Sequence, residues 1–115
     1  MTIELMGDLT RRFMRLIVFF DLPSVTRQEK KEYVLFRRFL IKDGYDMIQW
    51  SVYGRLINGW DALKKHEKRL NQHLPPEGSV RCLQVTEKQF ALMKFLVGKK
   101  KRQEKLITAN QLILL

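Results

Sequence analysis

The sequence predicts an α+β domain in which an antiparallel sheet carries two helices on one face. Residues 16–20 are an unbroken run of β-branched, aromatic and aliphatic side chains, which is typical of a strand buried on both faces. Residues 26–42 and 60–74 instead repeat their apolar positions with the period of a helix. Further β-prone segments give the order strand, helix, one or two strands, helix, strand. With two strands in the middle, this order is the split βαβ, or ferredoxin-like, plan.

Composition predicts a single globular domain. The chain has 115 residues, of which 45% are hydrophobic and 30% charged. No apolar run approaches the roughly 18–20 residues of a membrane span, and residues 1–13 lack the apolar stretch of a signal peptide. The single cysteine, Cys82, cannot form an internal disulfide. We therefore expect a reducing, cytoplasmic setting.

The charge balance is the strongest global signal. Lys and Arg number 22 against 12 Asp and Glu, which gives a net charge of +10. A polyanionic partner explains such an excess, and nucleic acid fits it better than a membrane. A basic surface that is merely solvated is the alternative.

The first strand, about residues 14–21, ends at a carboxylate. Asp21 is followed closely by Pro23, which prevents the strand from continuing. At the rim of a sheet and on a rigid element, Asp21 is well placed to be a metal ligand or a general base. An aspartate at such a position also commonly bonds the backbone of the next turn, so both interpretations stay open.

The first helix should present a basic stripe to solvent. Thr26 and Glu29 match a capping box at its start, and Gly44 is suited to end it. Its apolar face carries Tyr33, Phe36, Phe39 and Leu40. Four cations without an acid among them occupy the opposite face, an arrangement that favours a phosphate backbone as the counter-charge. The candidate phosphate contacts are these four together with three arginines near the first strand: Arg11, Arg12, Arg15, Arg27, Lys31, Arg38 and Lys42.

The later elements are predicted in less detail. Residues 47–57 alternate like a strand, but eleven residues are long for one, so we expect a bent strand or two strands meeting near residues 51–54. Strands are also predicted at residues 80–85, with Cys82 buried, and at residues 94–98. The second helix should bury one face and expose second-choice phosphate contacts on the other. The predicted inward residues are Trp60, Leu63, Leu70 and Leu74. The outward face carries Lys64, Lys65, Lys68 and Arg69; its three lysines and the basic run at residues 99–102 are the second-choice contacts.

The C-terminal segment predicts a homodimer. Three parts follow from composition: a basic extension at 1–13, a core at 14–98, and a basic linker with an apolar, β-prone strand at 99–115. Left exposed, such a strand would be an aggregation hazard. Addition to the edge of a partner's sheet is a natural solution, with Leu112, Ile113 and Leu114 as the dimerising residues.

The sequence contains few combinations of residues that could form a catalytic site. The chain contains no glycine-rich phosphate loop, H-E-x-x-H or G-x-S-x-G motif. His66 and His73, with one cysteine elsewhere, do not make a zinc set. Asp43, Asp46 and Asp61 lie at element ends with capping or turn duties, and metal-assisted phosphodiester hydrolysis usually gathers several carboxylates. A nuclease is therefore more plausible if a dimer brings two copies of Asp21 together.

Three segments resemble CRISPR-associated protein two, the small ferredoxin-like subunit of the spacer-acquisition machinery. They are the strand with its Asp21 (residues 14–23), the basic helix segment at 36–40, and the Gln-Trp-Ser-Val-Tyr segment at 49–53. Residues 85–90 resemble the branch found in type II systems. The resemblance runs from about residue 14 to the C-terminus. Residues 1–13 depart from the family's usual start, which lies a few residues before the first strand. They are either an added basic arm or the result of an alternative start codon.

The resemblance implies a homodimer with an exchanged C-terminal strand and two possible roles. One is a DNA-binding scaffold that joins CRISPR-associated integrase dimers and holds double-stranded pre-spacer DNA in the adaptation complex. The other is a Mg2+-dependent endonuclease acting on RNA or DNA, with Asp21 of each protomer as catalytic residue and metal ligand. A stand-alone, toxin-type ribonuclease or RNA-binding module of the same fold is the alternative.

Overall fold

A computed structural model describes residues 13–98 of the chain. The predicted sites at Arg11 and Arg12, the basic run at 99–102, and the dimerising residues Leu112, Ile113 and Leu114 lie outside the described residues. The elements follow the predicted order: β1 (Phe13–Asp21), α1 (Arg27–Lys42), β2 (Asp46–Gln49), β3 (Val52–Asn58), α2 (Trp60–Gln72), β4 (Ser79–Thr86) and the short α3 (Glu87–Ala91).

The four strands form one antiparallel sheet in the order β2-β3-β1-β4. β1 is a central strand, paired with β3 on one side and β4 on the other. Asp21 lies opposite Ser79 at one end of the sheet, whereas Phe13 lies opposite Asn58 at the other. The predicted ferredoxin-like α+β fold is confirmed.

Both long helices pack on the same face of the sheet. Alternate β1 residues, including Val18 and Phe20, form one buried cluster with Phe36 of α1 and Leu70 of α2. The ring of Phe20 meets that of Phe36 edge-on, with centroids 5.2 Å apart. Because this cluster removes most of its apolar surface from water, it is the main source of the domain's stability.

The other side of the sheet, which we call the open face, carries a smaller cluster. Ile17, Ile48 and Phe90 are buried there. Phe19 and Leu83 lie on the same face, since residues two apart on a strand and residues paired across strands share a face. They are 38% and 54% exposed. The open face is therefore only partly covered within residues 13–98.

Several details differ from the sequence prediction. Phe13, predicted to belong to the extension, is the first residue of β1. Residues 47–57 divide into two strands around Trp50 and Ser51, close to the predicted break. No strand forms at residues 94–98 in the described chain. No helix within residues 13–98 is long and apolar enough to cross a membrane.

Three predicted burials are wrong. Trp60 is 64% and Leu74 47% exposed, because Trp60 is the first residue of α2 and Leu74 follows its end, where helical spacing no longer applies. Leu63 and Leu70, between them, are buried as predicted. Cys82 is exposed rather than buried, because β4 is an edge strand and is exposed from Arg81 to Gln84.

Candidate nucleic-acid interface and carboxylate site

Local sequence sets both ends of α1. The Thr26 hydroxyl accepts a hydrogen bond from the Glu29 amide (3.1 Å), and the Glu29 carboxylate accepts one from the Thr26 amide (2.8 Å). These contacts form the predicted capping box. Gly44 follows the C-cap with a φ of +93°, a conformation that glycine adopts without strain.

The predicted basic stripe lies on the outer side of α1. Arg27, Lys31, Arg38 and Lys42 are all exposed. Within residues 13–98 none of the four forms an ion pair. Because like charges on one helix face repel one another, a bound polyanion would relieve this repulsion. We refer to these four residues as the α1 stripe.

Apolar side chains accompany the cations of the α1 stripe. Val34, Leu35 and Ile41 are 43%, 47% and 51% exposed. The helix thus presents a mixed basic and apolar surface. Sequence reasoning missed this mixture, because it used the apolar periodicity only to find the buried face.

Asp21 occupies the position predicted for it, at the exposed end of β1. Within residues 13–98 its carboxylate makes no hydrogen bond or ion pair, so the alternative in which it bonds the next turn is not observed. The backbone around it is tightly packed: a Cβ added to Gly78 would lie 2.7 Å from the Asp21 carbonyl oxygen. A rigid backbone therefore holds a side chain that is free to bind.

Two depressions of about 470 and 480 Å3 adjoin Asp21. Asp21, Trp50 and Ser51 line both. Each also contains a cation, Lys30 in one and Arg81 in the other. Sequence reasoning did not assign Trp50, Lys30 or Arg81 to this site, because they come from a turn, a helix and a distant strand that only the folded sheet brings together.

One chain alone does not provide a metal site. Within the described residues, no three His, Cys, Asp or Glu side chains are grouped so that they could hold a metal ion. Asp21 is therefore a single candidate ligand. A magnesium ion, which takes several oxygen ligands, would require more from a second copy, the bound strand or water.

The prediction that Arg15 contacts phosphate is wrong. It is 9% exposed and lies on the open face, where its guanidinium forms a salt bridge with Glu87 of α3. The same guanidinium lies 4.7 Å from the centre of the Phe90 ring. A buried, paired arginine is not available to a phosphate, so Arg15 leaves the set of candidate contacts.

A partly buried polar network, centred on the buried His66, joins α1, β3 and α2. Arg55 Nε donates to His66 Nε2 (3.0 Å), which leaves the ring proton on Nδ1, from which it is donated to Asp43 (2.8 Å). Arg69 donates to the other oxygen of Asp43 (2.8 Å). Asp43 does more than cap the end of α1, as its position suggested, because it also binds two side chains of α2.

Burial and charge set the ionisation of this network. Burial lowers the pKa of His66; the hydrogen bond with Asp43 opposes this, and the charge of Arg55 adds to it. Burial would raise the pKa of Asp43, but the hydrogen bonds from His66 and Arg69 outweigh it, so that this pKa is lowered. The network therefore holds a neutral imidazole against a carboxylate and links the two helices to β3.

Comparison with known proteins assigns the chain to a family. A family model for CRISPR-associated protein Cas2 matches residues 14–93, which include all of β1 but its first residue, and the turn at Trp50. The chain belongs to the Cas2 family. The predicted resemblance to this family is therefore confirmed, whereas its type II branch stays a prediction. The match covers nearly the whole described domain.

Individual Cas2 relatives are similar over most of their length. The chain is 60% identical to a CRISPR-associated endoribonuclease Cas2 of Acidovorax ebreus over 101 residues, covering 88% of this chain and 99% of the relative. It is 43% identical to the protein of the same name from Treponema denticola, covering 89% of this chain and all of the relative. A Ligilactobacillus salivarius relative is 48% identical over 76% of this chain and 86% of its own length.

Proposed function

We propose that this Cas2 chain is a cytoplasmic, homodimeric DNA-binding scaffold of the CRISPR spacer-acquisition complex. The observation that carries this proposal is the α1 stripe, four exposed cations with no acid paired to them within residues 13–98. Phosphate contacts of this kind fix a protein on a duplex without reading its sequence. A scaffold for pre-spacer DNA of varied sequence needs such contacts, with a CRISPR-associated integrase as the protein partner.

The open face supports the dimer. Phe19 and Leu83 leave apolar surface uncovered there, and the last described residues are also exposed, Leu96 at 90% and Val97 at 95%. Contiguous exposed apolar surface is characteristic of protein–protein interfaces. We propose that the open face packs against a second copy, and that residues 99–115 extend the partner's sheet through Leu112, Ile113 and Leu114.

A second candidate activity is favoured by the geometry of Asp21. Several relatives are called endoribonucleases, and Asp21 is an exposed carboxylate without a hydrogen-bonding partner within residues 13–98. We propose a metal-dependent endonuclease centre in which Asp21 from each of two protomers holds Mg2+. When bound, the ion would supply electrostatic stabilisation of the phosphate and a more acidic bound water. The protein's part is to hold the two carboxylates on rigid strands.

The adaptation role also predicts which genes lie next to the gene for this chain. A protein of the adaptation complex should have a repeat array and an integrase gene next to its own gene, and we propose that this neighbourhood is of type II. A stand-alone, toxin-type ribonuclease or RNA-binding module would lack both neighbours.

One experiment separates the two activities. Duplex DNA binding over a range of salt, and Mg2+-dependent cleavage of RNA and DNA, are measured for wild type, Asp21→Ala and the double variant Arg38→Glu with Lys42→Glu. The double variant should bind duplex at least about tenfold more weakly, with a log–log salt slope about 2 units shallower, because two phosphate contacts are lost. Asp21→Ala should bind normally and lose cleavage.

A matched control tests for a simple effect of net charge. Lys64→Glu with Lys68→Glu changes two exposed lysines of α2 and removes the same charge from the chain. Its loss of affinity should be clearly smaller. Equal losses in the two double variants would show that the α1 stripe binds DNA no more strongly than the second-choice lysines of α2. Cleavage by Asp21→Ala at the wild-type rate would remove Asp21 as the centre of cleavage.

A further inference from the structure

Trp50 is an exposed aromatic residue in an unusual place. Its side chain is 74% exposed in the turn between β2 and β3. The indole is stacked on Tyr33 of α1, with centroids 6.2 Å apart and ring planes 23° from parallel. Tyr33 in turn packs against the core ring of Phe20, 5.9 Å away. Trp50 is thus supported from behind while much of its surface faces solvent.

The turn that carries Trp50 is tied to the strand that carries Asp21. The carbonyl of Ser51 accepts a hydrogen bond from the Phe20 amide (3.1 Å), one residue before Asp21. Ser51 has a φ of +64°, a left-handed conformation that is uncommon for residues other than glycine. Such strained residues cluster at functional sites, where the fold holds them in place. The aromatic platform and the carboxylate are therefore presented by one connected piece of backbone.

The surroundings of Trp50 match the chemistry of a nucleotide. It lines both depressions beside Asp21, of about 470 and 480 Å3, and one cation, Lys30 or Arg81, lines each. Volumes of this size fall within the about 300–1,000 Å3 of typical ligand sites. An aromatic face with flanking cations is the combination that holds single-stranded nucleic acids, through base stacking and phosphate contacts.

We propose that Trp50 stacks on an unpaired nucleobase of the strand bound at Asp21, while Lys30 and Arg81 contact its phosphates. This inference deepens the proposed endonuclease function and rests on it for the role of Asp21. Bases within a duplex stack on their neighbours and offer no free face, so the platform discriminates against fully paired substrate. Trp50 is accordingly a specificity-determining residue, distinct from the α1 stripe that is proposed to hold duplex DNA.

The chain allows a direct optical test, because it contains two tryptophans at opposite ends of the sheet. Trp60 follows Asn58, which pairs with Phe13 at the end of β1 opposite to Asp21. In full-length Trp60→Phe the fluorescence reports on Trp50 alone, and in Trp50→Phe it reports on Trp60 alone. Each is titrated, with EDTA present, with short single-stranded RNA, single-stranded DNA and the corresponding blunt duplexes.

Single strands should quench the fluorescence of Trp50 and leave that of Trp60 unchanged, and duplexes should not quench Trp50. Trp50→Leu should bind single strands roughly 10- to 100-fold more weakly with duplex affinity unchanged, and Trp50→Phe should recover most of the loss because it restores a ring. Trp60→Leu is the matched control and should bind as wild type. Comparison of the RNA and DNA strands identifies which sugar the site accepts.

Two results would overturn the proposal: equal quenching of Trp50 by duplex and single strand, or unchanged single-strand affinity in Trp50→Leu. A thermal melt identifies a variant that fails to fold, in which case the quenching in Trp60→Phe decides alone. The binding is read without Mg2+. If Asp21→Ala cleaves like wild type, the endonuclease proposal fails, but the stacking result stands or falls on its own.

Discussion

Arg15 and Glu87 form a buried ion pair on the open face, with side chains 11% and 7% exposed. Removing one partner of such a pair leaves the other charge buried without compensation. Glu87→Ala should therefore lower the free energy of unfolding by about 3 kcal/mol, measured by urea denaturation.

The double variant Arg15→Met with Glu87→Leu tests the same ion pair by removing both of its charges. It replaces both charges by apolar groups of similar size and should recover most of the stability lost in Glu87→Ala. Glu77→Ala, at an exposed glutamate, is the control for simple loss of an acid. A denaturation midpoint of Glu87→Ala equal to that of Glu77→Ala would contradict the prediction.

Asp21 and Arg15 differ in how much the sequence can reveal about them. The position of Asp21 follows from local signals, an apolar strand with a proline two residues after its end, and Asp21 lies where those signals predict. The burial of Arg15 depends on Glu87, 72 residues away in the sequence. Because local patterns contain no information about such a partner, Arg15 was predicted to be free for phosphate.

At the scale of elements, α1 was predictable because its determinants are local. The capping box, the glycine after its end and the aromatic face all lie within about twenty residues of one another. The same reasoning missed the role of Asp43 at its C-terminus, where the carboxylate accepts hydrogen bonds from His66 and Arg69 of α2. Contacts between elements depend on how the helices pack, which helical periodicity alone does not specify.

The burial of His66 predicts that stability falls with acid. His66 has a pKa below its ordinary value of 6.5, so the unfolded chain binds a proton at a higher pH than the folded chain. The resulting stabilisation is complete above about pH 6.5 and is lost as the pH falls toward the folded pKa. The lowered pKa of Asp43 acts in the same direction below its ordinary value of 3.8. Burial is the largest cause of the lowered pKa of His66; of the charged groups that face it, Asp43 raises this pKa, whereas Arg55 and Lys65 lower it.

Urea denaturation between pH 7.5 and 5 tests this expectation. The free energy of unfolding of the wild type should fall over this range, and His66→Gln should be less stable at pH 7.5 but show a flatter dependence. His73→Gln, at an exposed histidine stacked on Phe39 outside the network, should keep the wild-type slope. A wild-type slope in His66→Gln would show that His66 is not the titrating group.

For the whole molecule, element order and sheet plan were predictable because the hydrophobic period changes clearly between strands and helices. What the sequence did not specify was the state of the open face. A strand pattern shows which residues alternate, but it does not reveal whether a helix, a partner or solvent covers each side. Within residues 13–98 one face is covered by α1 and α2, and the other only in part, around Phe90.

The proposed homodimer gives the last prediction. Leu83, 54% exposed on the open face, would be buried between two copies, so Leu83→Lys should yield monomer by size-exclusion chromatography with light scattering. Leu35, 47% exposed on the outer side of α1, is the matched control, and Leu35→Lys should remain dimeric. Deletion of residues 111–115 should give monomer or aggregate, because the exchanged strand is lost. A dimer in Leu83→Lys would exclude the open face, and an intact dimer after the deletion would exclude strand exchange, so the two contributions to assembly can be judged separately.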